Sequence, residues 1–297
     1  MIGSMVALVT PFTKDFKIDY DVTYKLLDWH IEEGTKGIVI LGTTGESSTI
    51  SNEERKEFIS KCVEKIAKRA FVMVGTGTSS THETIQRTLD AKSIGADAAL
   101  VVTPAYNKPT QEGLYHHFNE VQEQTQFPIF LYNVPGRTAC DLSVETVLRL
   151  SQLKYIVGIK EAHQDLSRVI KYTQETELSV LSGDDSTAYP FLLMGGHGVV
   201  SVIANIFPKE ISNLVELAKL GKRVQAMDIA NDLYEINQFM GIETNPVPCK
   251  WVMASSGWIE SNVRPPLTPL SEDYHELGYQ LITRHALKAN HFNSATE

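Results

Sequence analysis

Eight short apolar runs recur along this chain at intervals of roughly 20 to 35 residues, and a stretch of helical periodicity follows each one. The runs lie at 6–9, 37–41, 71–75, 98–102, 128–132, 155–160, 178–182 and 198–202, and the helical stretches at 21–33, 52–68, 81–93, 111–124, 143–150, 165–172, 186–193 and 207–220. Strands this short and this continuously apolar belong to parallel sheets covered on both faces. Eight such units in series predict a closed (β/α)8 barrel of the TIM type. An open doubly wound sheet is the competing fold, but no dinucleotide-binding fingerprint accompanies any of the turns. Helix starts and stops agree with this reading. Ser51 precedes Asn52-Glu53-Glu54, Thr81 and Asp165 offer weaker starts, and Gly34, Gly95 and Gly221 stand where helices should end.

After Gly221 no further strand is expected. Residues 222–239, 246–256 and 272–288 read as helices, and Arg264-Pro265-Pro266-Leu267-Thr268-Pro269 reads as a stiff connector between the last two. The expected organisation is a catalytic barrel over 1–221 and a small helical extension over 222–297, with frayed ends from 291 onward.

The 297 residues suffice for a single barrel with a sizeable core. A net charge of -9 disfavours nonspecific attraction to nucleic acid or to an anionic membrane. Cys62, Cys140 and Cys249 form neither a disulfide framework nor a zinc-like cluster. The first residues lack the basic-then-apolar pattern of a secretory leader, and no apolar stretch reaches membrane-spanning length. A reducing cytoplasm is the expected compartment.

The sixth apolar run, Tyr155-Ile156-Val157-Gly158-Ile159-Lys160, ends in an amine. Strand alternation puts Ile156, Gly158 and Lys160 on one face and Val157 and Ile159 on the other. That arrangement points Lys160 into the barrel at the carboxyl end of its strand, where barrel enzymes keep their sites, with Gly158 leaving room beside it. The alternative is a surface lysine after a strand that stops at Ile159. An uncharged lysine amine can attack a carbonyl and form a Schiff base. Tyr132 ends the fifth run on the same face as Phe130, next to the strand of Lys160, and a phenol there can shuttle protons; a packing role is its alternative.

Other turns offer further groups. Gly42-Thr43-Thr44-Gly45-Glu46 exposes backbone N–H groups and two hydroxyls suited to a small carboxylate. It lacks the ending of a nucleotide P-loop. Arg137, in Asn133-Val134-Pro135-Gly136-Arg137-Thr138, can grip a second carboxylate with its planar fork, and Asn133 can fix that loop. Tyr106 is a site group or loop packing. Gly183 and Val200 can present backbone groups to a ligand, whereas Asp184 and Asp185 are expected to cap the next helix. His197 precedes the eighth strand, at the far end of the barrel. His116 and His117 are adjacent and share no helix face, and His163 has no companions at ligand spacing, so metal-dependent chemistry is disfavoured.

The Gly42–Glu46 turn, Tyr132-Asn133-Val134-Pro135-Gly136-Arg137-Thr138, Gly158-Ile159-Lys160 and Ser182-Gly183-Asp184-Asp185 together resemble the dihydrodipicolinate synthase family, nearly end to end. The wider superfamily holds N-acetylneuraminate lyase and sugar-acid aldolases. The lysine, the tyrosine and the Gly-x-Thr-Gly-Glu turn are common to that whole group, whereas the doubled threonine and the Val-Pro-Gly-Arg-Thr segment are more discriminating. The resemblance implies that Lys160 forms an imine with pyruvate. It implies that Tyr132, Thr43 and Tyr106 relay protons, with Tyr106 supplied by a neighbouring subunit. Thr44 would hold the pyruvate carboxylate and Arg137 that of L-aspartate 4-semialdehyde, with Gly183 and Val200 completing the pocket. It further implies no cofactor and a homotetramer built as a dimer of dimers. A pyruvate-dependent sugar-acid lyase or aldolase is the alternative activity, and a non-catalytic binding protein is a second one, disfavoured by the intact set of site groups.

Overall fold

The computed structural model describes residues 3–287. Residue 288, expected in the last helix, and the segment from 291 onward lie outside them. Eight parallel strands close on themselves in sequence order: β1 (Gly3–Ala7), β2 (Gly37–Ile40), β3 (Phe71–Gly75), β4 (Ala98–Val102), β5 (Ile129–Asn133), β6 (Ile156–Glu161), β7 (Ser179–Ser182) and β8 (Gly198–Ser201), with β8 pairing β1. The expected closed barrel is the observed fold. Around it run α1 (Tyr20–Glu32), α2 (Asn52–Ile66), α3 (Thr81–Ile94), α4 (Gln111–Thr125), α5 (Pro135–Thr138), α6 (Val144–Leu150), α7 (Ser167–Glu175), α8 (Ala188–Leu193) and α9 (Pro208–Lys219). The short α5 was not anticipated; Pro135 at its first turn presets the backbone for it.

The caps explain the helix starts. Ser51 and Glu54 form a reciprocal capping box at α2. At α3 the cap is Ser80 rather than Thr81, and α7 begins at Ser167, whose N–H and hydroxyl donate to Asp165. Gly95 closes α3 in the left-handed conformation. The stretch expected as one helix over 222–239 is two, α10 (Arg223–Asp232) and α11 (Tyr234–Met240), which part at the buried Leu233. They are followed by α12 (Val247–Ser255) and α13 (His275–Arg284).

Two apolar layers result from strand alternation. One lies between strands and helices. The other fills the barrel and includes Met5, Val39, Met73, Leu100, Phe130 and Val200. Each such side chain contributes roughly 1.5–3 kcal/mol on full burial. On β6 the alternation slips. The pairing with β5 runs Ile129 to Ile156 and then Phe130 to Gly158, so Val157 is an extra residue. This bulge puts Ile156 in the outer layer and Val157 against the inner one, contrary to simple alternation. From Gly158 onward the expected faces are restored.

Candidate active site

Beyond the bulge, Gly158 and Lys160 point inward and Ile159 points to the helices. The space at Gly158 is taken by the Phe130 ring. The glycine that makes room for the lysine is Gly183, where a methyl group would stand 2.9 Å from Lys160 Cε. The expectation that Gly158 leaves room beside Lys160 is therefore corrected. Lys160 is only 5% exposed, so the reading of it as a surface lysine fails. It pairs in register with Tyr132, and its Nζ stands 4.3 Å from the Tyr132 ring centre. Among the described residues no carboxylate forms an ion pair with it.

Tyr132 also borders a small cavity of about 40 Å³ together with Thr43 and Gly42. Thr44 is buried beside it in the same turn. Its hydroxyl accepts from Asn245 Nδ2 at 2.9 Å. Arg137, exposed on α5, donates from Nη2 to the Asn245 carbonyl at 3.2 Å. Asn245 and Gly183 both line a larger pocket of about 550 Å³, bordered also by Asp184, Asp185, Gln238 and Ile242. Val200 sits in the inner layer with Tyr132. Lys160, Tyr132, Thr43, Thr44, Gly183 and Val200 are thus gathered at one mouth of the barrel, with Arg137 on its rim.

Tyr106 is not among them. It is 94% exposed and held at φ 73°, so within one chain it reaches no site. Asp184 accepts from Ser186 N–H and the Thr187 hydroxyl ahead of α8. The N-cap of that helix is Thr187 and no side chain caps its first turn, so the expectation that Asp184 caps it is corrected. Asp185 instead accepts the N–H groups of Val202 and Ile203 after β8. Its carboxylate is thus engaged after β8 and not on the first turn of α8, which corrects the expectation that it caps the helix. His197 lies at the opposite end, where its Nδ1 accepts from Val180 N–H. Among the described residues no group of three or more His, Cys, Asp or Glu side chains is arranged to hold a metal ion.

Sequence reasoning missed two things. Asn245 comes from the extension, and only the Asn-Pro turn signal at Asn245-Pro246 marks its position. The second is the outward face behind Lys160. Glu161 is buried there, accepting from Asn133 Nδ2 at 3.0 Å, from His163 N–H at 2.8 Å and from the Tyr172 hydroxyl at 3.2 Å. Arg168 stands 3.9 Å away and forks onto Asp141 at 2.9 and 2.8 Å. Burial pushes the Glu161 carboxyl up to about 7, against the lowering effect of the His163 N–H, Arg168 and Asn133. Asn133 Oδ1 accepts from Leu142 N–H, so this residue fixes its loop.

The family model described as "Dihydrodipicolinate synthetase family" matches residues 1–284. A 4-hydroxy-tetrahydrodipicolinate synthase of Teredinibacter turnerae is 47% identical over 275 residues, covering 92% of this chain and 94% of the relative. The crystal structure of a chloride-inhibited dihydrodipicolinate synthase from Acinetobacter baumannii, complexed with pyruvate, is 44% identical and superposes with a TM-score of 0.94, covering 96% of this chain and 99% of that one. The enzyme from Aquifex aeolicus superposes equally well, TM-score 0.94, at 39% identity over 97% and 99% of the two chains.

Proposed function

The chain belongs to the dihydrodipicolinate synthetase family, and we propose that it condenses pyruvate with L-aspartate 4-semialdehyde through an imine on Lys160. The observation that carries this reading is the buried Lys160 amine beside its register partner Tyr132.

Lys160 Nζ attacks the pyruvate ketone and water leaves, giving the imine. The imine withdraws electrons from the methyl group, which loses a proton to give an enamine. That carbon attacks the semialdehyde aldehyde and forms the new carbon–carbon bond. The semialdehyde amine then adds to the imine carbon and displaces Lys160, closing the ring of 4-hydroxy-tetrahydrodipicolinate, a precursor of diaminopimelate and lysine. The sum consumes one molecule of each substrate and releases one water. Protons move through Tyr132 and Thr43. Thr44 holds the pyruvate carboxylate and Arg137 that of the semialdehyde, which enters by the larger pocket. Gly183 and Val200 shape the walls. The lysine itself is the electron sink, so no cofactor takes part.

Tyr106 completes the relay from a neighbouring subunit; its exposure and left-handed backbone support a residue whose place lies outside its own chain. The assembly is a homotetramer built as a dimer of dimers. We divide the chain at Gly221 between barrel and extension, and we assign it to the cytoplasm. The three free, buried cysteines support that compartment. Turnover measured with pyruvate and a panel of aldehydes tests the activity. Aspartate semialdehyde is the expected substrate, and preference for sugar aldehydes would make the chain a sugar-acid aldolase instead.

A further inference from the structure

The turn that carries Thr43 and Thr44 is entered and left by two non-glycine residues in the left-handed region, Leu41 at φ 53° and Glu46 at φ 52°. Such conformations persist where the surroundings over-determine them. Leu41 is buried in the outer apolar layer. Glu46 is held by charge. Its Oε1 accepts from Lys250 Nζ at 2.7 Å and its Oε2 from Arg264 N–H at 2.8 Å. Both ion-pair side chains are 1% exposed. Lys250 Nζ also donates to the Thr10 carbonyl at 3.0 Å and stands 4.2 Å from the Phe12 ring centre. The Thr10 hydroxyl in turn donates to the Gly45 carbonyl at 2.8 Å.

Among the described residues, the ties on the Glu46 carboxylate from outside its turn come from the extension, Lys250 from α12 and Arg264 from the connector. We propose that Glu46 and Lys250 are positioning residues for the Thr43–Thr44 turn, so that the extension is a working part of the pyruvate site. The inference rests on the reading of that turn as the pyruvate carboxylate subsite. A buried pair adds little net stability over apolar side chains of similar volume, because both ions must be desolvated. What it adds is direction: two fixed donors set the carboxylate, and through it the backbone at the turn's exit. Burial holds the Lys250 ammonium below its ordinary range, and the Glu46 charge opposes that shift.

The test is the double variant Glu46→Gln with Lys250→Met, which removes both charges and keeps an acceptor for Arg264 N–H. Its thermal midpoint should stay within a few degrees of the parent, as replacement of a buried pair by neutral groups allows. The pyruvate concentration for half-maximal borohydride trapping at Lys160 should rise about tenfold or more, because the carboxylate subsite has loosened. A double variant that folds and traps at the parental pyruvate concentration would overturn the proposal. If the parent itself fails to trap, the Schiff-base reading falls instead, so the two failures are distinct. Hydrogen exchange on the unaltered protein gives an answer that needs no variant. Pyruvate should slow exchange in residues 42–49 and in α12 together, and slowing confined to the turn would count against the coupling.

Discussion

Lys160 and Glu161 are neighbours in sequence with opposite surroundings, one facing the barrel interior and the other the helices. The first was legible from alternation at a strand end. The second was not, because nothing local tells a solvated glutamate from one whose partners, Asn133 and Tyr172, lie elsewhere in the chain. Its energetics yield a prediction. Folding raises the Glu161 carboxyl from its ordinary 4.5 to about 7. Between those values the folded protein holds a proton that the unfolded chain has released. Stability therefore falls as pH rises through this window and levels off above about pH 7. Glu161→Gln keeps the shape and removes the titration. In denaturant titrations at pH 5, 6, 7 and 8, the parent should lose up to about 3 kcal/mol relative to the variant. Parallel pH curves would show that the carboxyl is not perturbed.

At the scale of elements, β6 and the turn that follows β7 divide two functions between two glycines. The sequence pattern located β6 and its inward lysine but assigned the wrong glycine to it, because the Phe130 ring that fills the space at Gly158 comes from the neighbouring strand and leaves no mark in the β6 run itself. A methyl group at Gly158 would enter the Phe130 ring, and one at Gly183 would meet the flexible stem of Lys160. Gly158→Ala should therefore destabilise the barrel by about 1–3 kcal/mol, as overpacked cores do. Gly183→Ala should leave the thermal midpoint nearly unchanged and slow imine formation about tenfold or more, by displacing the amine from its attacking geometry. Thermal melts and trapping rates on the two variants check the division. Equal effects on both measurements would refute it. Of the helix starts, the one at Ser51 was readable because its cap and the acidic first turn are adjacent in sequence, whereas at α3 the reading fell one residue late, on Thr81 instead of Ser80. The break at Leu233 was not readable, because the helical apolar spacing Ile229, Leu233, Ile236, Met240 runs straight across it and outweighs the turn-favouring Asn231-Asp232 just before it.

The whole molecule is where sequence and a single chain say least. The closed barrel followed from counting eight units, but the extension's contribution through Asn245 depended on contacts some 200 residues apart, which no local pattern encodes. Tyr106 is the sharpest case, since its proposed place is in another subunit. Complementation decides it. Lys160→Ala and Tyr106→Phe chains are each expected to be nearly inactive alone. When the two are co-assembled, sites that pair an intact Lys160 with the partner's intact tyrosine should restore about a quarter of parental activity, given random mixing and one competent site per mixed dimer. No recovery in verified mixed assemblies would place the tyrosine's action within its own chain or outside catalysis. The claim on which everything else stands is the covalent one. The protein is incubated with pyruvate, reduced with borohydride, digested and mapped by mass spectrometry. The account predicts a single carboxyethyl group on Lys160, absent when pyruvate is withheld. An unmodified Lys160 in catalytically active protein, or an adduct on another lysine, would contradict it.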